Sequence, residues 1–443
     1  MGKMSFRAMK TMRIFGITCL VLAIVVPFVW AESAKGDDQH SKRPLTLDDC
    51  YALALRQSEK IAILKEKIDE VEGQYLQAIS TVTPKGNFLL TEFHQDSPAG
   101  SDGAGSVGST LNLQSRPERK FKLSQPLFRG FRSLAAIGGA QSLKSQRTDE
   151  VQRARELLFL DVMNAFYGAL GPRDEVESLQ HIRELSAQRI TELEERVRLG
   201  KSRPSEIANA TAQLKQIQAQ IEQTRRAGIV WVNVLRFLTG KNEIVELADS
   251  PVAPGDLQDL EVCISKAHNR SDVRAVKAAL EVAKQNVVIA RADFFPQLSL
   301  DSNLYAKRVG FQSNTDWDVT LTFDVPLFEI VKVSGAVREA QAKVREAEWE
   351  LSRVLRQAQS DIRSAYEELK LSVAAAKAFR EAEVASAENF DIQTKEYRLN
   401  LVNNLDVLNA LQDLEAVRRD LVKVRYQAKS DTGRLKVAMG AVL

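Results

Sequence analysis

The sequence predicts a mainly α fold with a small β part, made of two similar halves that each join a strand pair to a long helical hairpin. Three observations predict it. The stretch from Pro126 to Gly240 recurs from Pro326 to Gly440: Pro126-Leu127-Phe128 is echoed by Pro326-Leu327-Phe328, Ala140-Gln141 by Ala340-Gln341, Ser186-Ala187 by Ser386-Ala387, and Arg198-Leu199 by Arg398-Leu399. Every pair is offset by 200 residues without an insertion. Loops accept insertions, whereas two helices packed along their whole length do not. Second, apolar or small residues recur at steps of three and four through Ile207, Ala210, Leu214, Ile217, Ile221, Thr224, Gly228, Trp231, Leu235 and Leu238, and again at positions from Val407 to Ala438. That 3.5-residue period is a coiled-coil seam. Third, Asp316 to Val325 alternates strictly, with Trp317, Val319, Leu321, Phe323 and Val325 on one face and Asp316, Asp318, Thr320, Thr322 and Asp324 on the other. That is a strand.

In chain order, Lys3, Arg7, Lys10 and Arg13 precede an apolar run from Ile14 to Trp30, and Val29-Trp30-Ala31 suits cleavage, so residues 1–31 read as a signal peptide. A retained membrane anchor is the alternative. Removing these residues turns the formal net charge of +3 into about −1, which argues against nucleic acid as a partner. Residues 32–44 are polar and read as a flexible leader. The first repeat, 45–240, opens with Thr46 as N-cap and Asp49 three residues on, in capping-box style, and its first helix is expected to run to about Val82, before Pro84. A strand from Asn87 to Gln95, a polar loop from Ser97 to Ser109 and a strand from Arg119 to Leu127 follow.

The outgoing arm of the first hairpin, Ser133 to Leu199, spans about 100 Å if continuous, with a kink or break expected at Gly168, Gly171 and Pro172. Gly200 to Pro204 makes the turn. Residues 241–259, with Pro251, Pro254 and Gly255, read as a linker. The second repeat, 260–440, restarts the cycle: a helix from Leu260 to Ala292, a stop at Pro296, strands from Gln297 to about Arg308 and from Asp316 to Val325, and the second hairpin.

An apolar strand face opposite an acidic, hydroxyl-bearing one suits lipid outside and water inside; an antiparallel sheet lying on a protein core satisfies the same pattern. Four strands cannot close a barrel alone, and an open edge cannot stand in lipid, so spanning requires several identical chains. Catalysis finds no support. His40, His94, His181 and His268 lack metal-ligand spacing, and neither a phosphate-cradling loop nor a nucleophile motif is present. No cofactor or metal is expected. Cys50 and Cys263 lie near equivalent positions in the two halves and read as buried free thiols, with a bridge as the alternative.

Together, Thr46-Leu47-Asp48-Asp49 with Ala52-Leu53-Ala54-Leu55, Phe295-Pro296-Gln297-Leu298-Ser299-Leu300, the paired Pro-Leu-Phe motifs, Asn164-Ala165-Phe166-Tyr167 and Leu405-Asp406-Val407-Leu408 resemble the TolC-type outer-membrane efflux proteins. The resemblance covers nearly all of the chain after residue 31. It implies a homotrimer in the outer membrane of a Gram-negative bacterium, with a twelve-stranded transmembrane β-barrel in outer-membrane lipid above a periplasmic α-barrel. It also implies a periplasmic adaptor and an inner-membrane pump as partners.

Carried over residue by residue, the resemblance puts adaptor docking at Arg198, Leu199 and Gly200 and at Arg398, Leu399 and Asn400. It puts a pore constriction at Asp406, with Asn409 one turn on, and a tip lock at Glu206 with Tyr397. The bland readings are a solvated helix-face carboxylate for Asp406 and an ordinary first-turn acid for Glu206. Two departures, Val402 where the family has a tip arginine and Asn400 where it has glycine, imply a lock that is weaker or rebuilt. A periplasmic coiled-coil adaptor or scaffold is the rival, disfavoured because such proteins carry one hairpin rather than two.

Overall fold

The computed structural model describes residues 44–96, 115–243, 246–249, 258–309 and 313–441. The expected signal peptide, nearly all of the leader, the polar loop 97–109 and most of the linker lie outside the described residues.

The first repeat begins with α1 (Leu47–Gln57) and α2 (Glu59–Ser80). The capping box is present: the Thr46 side chain accepts from the Asp49 backbone, and the Asp49 carboxylate accepts from Thr46. A single helix to Val82 was expected, but Ser58 interrupts it with extended backbone, and its side chain caps α2. The same correction applies in the second repeat. There α5 (Leu260–Ser265), a 3₁₀ turn (266–269) and α6 (Ser271–Arg291) replace one helix, with the break at Arg270. Periodicity continues across both breaks, which is why it concealed them.

Arg270 also explains what the second break achieves. Its guanidinium is buried and donates to Asp272 at 2.6 and 3.0 Å, to Asp361 at 3.1 Å and towards the carbonyls of Ala358 and Ala438. A charge removed from water is tolerated when it is paired in this way, and the pairing fastens the break to both arms of the second hairpin.

The strands β1 (Lys85–His94), β2 (Ser115–Arg129), β3 (Gln297–Lys307) and β4 (Trp317–Asp324) form one antiparallel sheet in the order β1-β2-β3-β4. The two strand pairs, one from each repeat, join through β2 and β3.

The first hairpin is α3 (Arg132–Arg198) and α4 (Pro204–Thr239); the second is α7 (Ile330–Arg398) and α8 (Asn404–Ala438). The break expected at 168–172 is absent, and α3 is one helix of 67 residues with Pro172 inside it. Tertiary packing overrides the local signal. A Cβ at Gly168 would lie 2.6 Å from the Trp231 ring of α4, and one at Gly228 would lie 3.3 Å from Pro172. The small residues thus let α3 and α4 close over the defect. The coiled-coil seam is observed, with Ala210, Ile217, Ile221 and Leu235 buried on α4 and Val407, Ala410, Leu414 and Leu435 on α8.

Separate apolar clusters support each repeat. One joins α1, α2 and α3 around Cys50, Phe166 and Leu170; another joins α5, α7 and α8 around Cys263, Ala358 and Ile362. Both cysteines are free thiols, and burial pushes the Cys50 thiol up to about 12. Leu45 and Leu247 form a parallel bridge, so the described part of the linker is packed: Leu247 belongs to the first cluster and Asp249 pairs with Lys429 at 2.5 Å.

Candidate functional site

Two regions carry the expected chemistry, the sheet and the hairpin tips. In the sheet, register aligns side chains across all four strands. Phe88, Phe121, Leu304 and Trp317 form one row and Leu300 with Leu321 another, followed by Leu298 with Phe323. These apolar side chains face outward; Trp317 and Phe323 are each 65% exposed. The opposite face carries Asn87, Lys122, Asn303 and Asp318 in one row. Side-chain pairs link the strands on that face: Ser124 donates to Asp301 at 2.5 Å, while Asn303 and Tyr305 each donate to Asp318 at 2.7 Å. Among the described residues β1 and β4 have one neighbouring strand each, leaving two open edges.

At the tips both outgoing helices end in the same way. The Gly200 N–H donates to the Val197 carbonyl at 2.9 Å and the Lys201 N–H to Arg196 at 2.8 Å; Asn400 and Leu401 repeat the pattern onto Tyr397 and Glu396 at 3.0 Å each. This is the Schellman arrangement, which needs a left-handed residue after the C-cap. Gly200 adopts φ +69° and Asn400 φ +59°, and asparagine is the non-glycine residue that tolerates this region best. The Asn400 side chain also accepts from Arg196. Leu199, Leu399, Leu401 and Leu405 are exposed around the turns, as are Arg198 and Arg398.

The two return helices start differently. In α8, Asn403 is the N-cap and Asp406 the third helical residue, and they close a capping box: the Asp406 carboxylate accepts from the Asn403 N–H at 3.0 Å, and the Asn403 side chain accepts from Leu405 and Asp406 at 2.8 and 3.1 Å. Asp406 is partly exposed and Asn409 is exposed. In α4, Arg203 occupies the N-cap without a side-chain bond, and Pro204 follows at the first helical position. Glu206, in the place of Asp406, reaches the other hairpin instead. It accepts from the Tyr397 hydroxyl at 3.0 Å and from Ser202 at 2.9 Å.

Tyr397 is the hub of this region. It is 4% exposed, within a cluster of Leu193, Ala210, Val407 and Leu408 that Val402 also joins. The guanidiniums of Arg189 and Arg196 lie over its ring, at 3.8 and 4.5 Å from the centroid. Thus the pair Glu206 and Tyr397 is brought together as the sequence predicted, while Asp406 and Asn409 lie on the opposite return helix and make no bond to it.

Sequence reasoning missed Arg189, Glu192, Arg196, Ser202 and Asn404. One signal was available: Leu179, Ile182, Ser186, Arg189 and Leu193 follow three-four spacing, so Arg189 is a charge in the apolar seam of α3. Among the described residues no group of three or more His, Cys, Asp or Glu is placed to hold a metal ion. No helix there is long and apolar enough to cross a membrane.

Comparison with known proteins agrees with this architecture. Residues 265–441 match the family model described as outer membrane efflux protein. The alkaline protease secretion protein AprF of Pseudomonas aeruginosa is 27% identical over 358 residues, covering 76% of this chain and 70% of the relative. The outer membrane protein TolC of Vibrio cholerae is 21% identical over 323 residues, covering 70% and 74%. A crystal structure of CusC superposes with a TM-score of 0.77 over 89% of this chain and 92% of that one, at 16% identity.

Proposed function

We infer that the chain is a member of the outer membrane efflux protein family, whose model matches residues 265–441, and that it is an outer-membrane efflux channel that works as a passive conduit. Cargo expelled by an inner-membrane pump and handed on by a periplasmic adaptor passes through it without chemistry.

The observation that carries the reading is the sheet. A single sheet exposes apolar rows across one face, orders its polar face with internal hydrogen bonds and, among the described residues, ends in two unpaired edges. Lipid is the environment that rewards the first feature, and an aqueous lumen the second. The edges demand neighbours, since unpaired backbone groups in hydrocarbon cost several kcal/mol each. Three copies supplying four strands each close a barrel of twelve. Below it the paired hairpins line the passage, with Asp406 as its acidic constriction and Asn409 one turn further. Three carboxylates around a narrow opening attract cations. The exposed tips at Arg198, Leu199 and Gly200 and at Arg398, Leu399 and Asn400 offer apolar and basic side chains to the adaptor.

Single-channel recording of the detergent-purified protein in a planar bilayer, with a trivalent cation added on the tip side, tests this reading. Long-lived openings that the cation blocks, with block relieved by Asp406→Ala, support it. Openings without block retire the constriction but keep the channel. A folded protein that stays soluble without detergent and never conducts overturns the channel in favour of an adaptor or scaffold.

A further inference from the structure

Residues from α1 to β1 recur 212 positions later, from α5 to β3, and residues from β2 onward recur at 200. The helix breaks Ser58 and Arg270 and the stops Pro84 and Pro296 share the first offset. The offsets carry pairing as well as sequence. Shifting the β1–β2 register by them reproduces the β3–β4 register, so that Phe88 opposite Phe121 becomes Leu300 opposite Leu321, and Glu92 opposite Pro117 becomes Leu304 opposite Trp317. The joint between the repeats, where β3 and α6 meet β2 and α3, has no such counterpart among the described residues. One chain leaves it open, with β4 and β1 as the edges of the sheet.

The side chains show what fits that open joint. Within the chain, Ser271 of α6 donates to Glu156 of α3 at 2.6 Å, and Arg274 donates to Asp149 at 2.7 and 2.9 Å. Gln285 lies beside Gly138 and Gly139; a Cβ on Gly139 would be 3.5 Å from that of Gln285. Carried by the offsets, these contacts become Glu59 with Arg356, Ala62 with Trp349, and Gly73 with Arg338 and Glu339. Each pair is complementary again, with its chemistry changed: an acid meets a base, an alanine meets an indole, and the glycine has moved to the opposite helix. At the sheet, Arg129 opposite Gln297 becomes Glu329 opposite Lys85, a second complementary pair. Lys60 with Arg353, at the positions of Asp272 and Arg153, is like-charged, but Arg353 is already held by Glu350 at 2.6 and 2.8 Å.

These residues are bare surface in the single chain. Trp349 is 75% exposed, and Ile63, at the position of the buried Ala275, is 59% exposed. A Cβ on Gly73 would meet nothing within 4 Å.

We propose that α2 is the docking face for α7 of a second copy of this chain, with Glu59 on Arg356, Ala62 under the Trp349 indole and Gly73 beside Arg338 and Glu339. The aromatic side chain anchors the contact, as such residues do where copies meet. The ion pair fixes its register more than its strength. Because α2 and α7 are different surfaces, the contact runs head to tail and closes a ring rather than a two-fold dimer. The number of copies in the ring rests on the channel reading above; the paired faces do not.

Cysteine cross-linking of the purified full-length protein tests the docking face. The separation at Gly139 and Gln285 suits a disulfide, so Gly73→Cys combined with Glu339→Cys is expected to give a reducible ladder of linked chains on mild oxidation, while either substitution alone gives none. Gly139→Cys with Gln285→Cys is the control and should close within one chain. A missing ladder while the control closes and the wild-type protein conducts overturns the docking face and leaves the channel. A ladder from a protein that never conducts keeps the docking face and retires the channel. Charge exchange is the second readout and decides if the cysteine pair fails to assemble. Glu59→Arg and Arg356→Glu should each lower the temperature at which the oligomer separates in a denaturing gel, and the two together should recover most of that loss. Losses that simply add overturn the pairing.

Discussion

The two hairpin tips come from one duplicated segment, and the third residue of each return helix separates them. In the second tip Asp406 folds back onto its own N-cap, Asn403. In the first tip Arg203 makes no side-chain cap and Pro204 removes an N–H, so Glu206 does not fold back onto its N-cap; it accepts from Ser202 and reaches Tyr397 on the other hairpin. The same acidic position thus closes a box in one copy and bridges hairpins in the other. Beyond the Schellman turn that both share, the second tip is held in place by its cap, by the burial of Tyr397 and by Arg189, and the first by its proline and the bond from Tyr397 to Glu206. We expect the first tip to be the more mobile of the two.

Substitutions at the two tips test the difference, beginning with the largest expected effect. Tyr397→Ala empties the hub and should cost about 3–5 kcal/mol, read as a fall in the denaturation midpoint; Val197→Ala, at the matching and more exposed position, should cost under about 1 kcal/mol. If the two cost the same, the second tip is not specially held. Glu206→Gln keeps the shape but removes the charge that receives Tyr397 and Ser202, and should cost about 1–2 kcal/mol. A double-mutant cycle with Tyr397→Phe should show the two effects to be non-additive.

Smaller effects follow at the caps. Asn403→Ala breaks the box of α8 and should cost about 1 kcal/mol, whereas Arg203→Ala in the first tip should be near neutral. The reverse change, Arg203→Asn, supplies the absent cap and should stabilise α4 by roughly 0.5 kcal/mol, with slower amide exchange over its first turn.

Much of the architecture was legible in the sequence because it rests on periodicity. The offset of 200 residues located both hairpins, turn residues and β-prone composition located the strands, and the strict alternation of β4 identified its apolar face before any pairing was known. The breaks at Ser58 and Arg270 were not legible, because apolar spacing continues across them; nor was the continuity of α3 through Pro172, which depends on Trp231 of another helix. At the site, the Glu206 and Tyr397 pair was foreseen from motif resemblance. Arg189 was not, although its charge in an apolar seam was visible.

The sequence by itself determined the duplication, the period of each element, the left-handed turn residues Gly200 and Asn400 and the Thr46 cap, because each depends on interactions within a few residues along the chain. Only the tertiary structure decided where Glu206 and Arg189 direct their charges. Their partners lie about 190 to 215 residues away, and a hydrogen bond at that separation is chosen by which helices pack together, which no local pattern records.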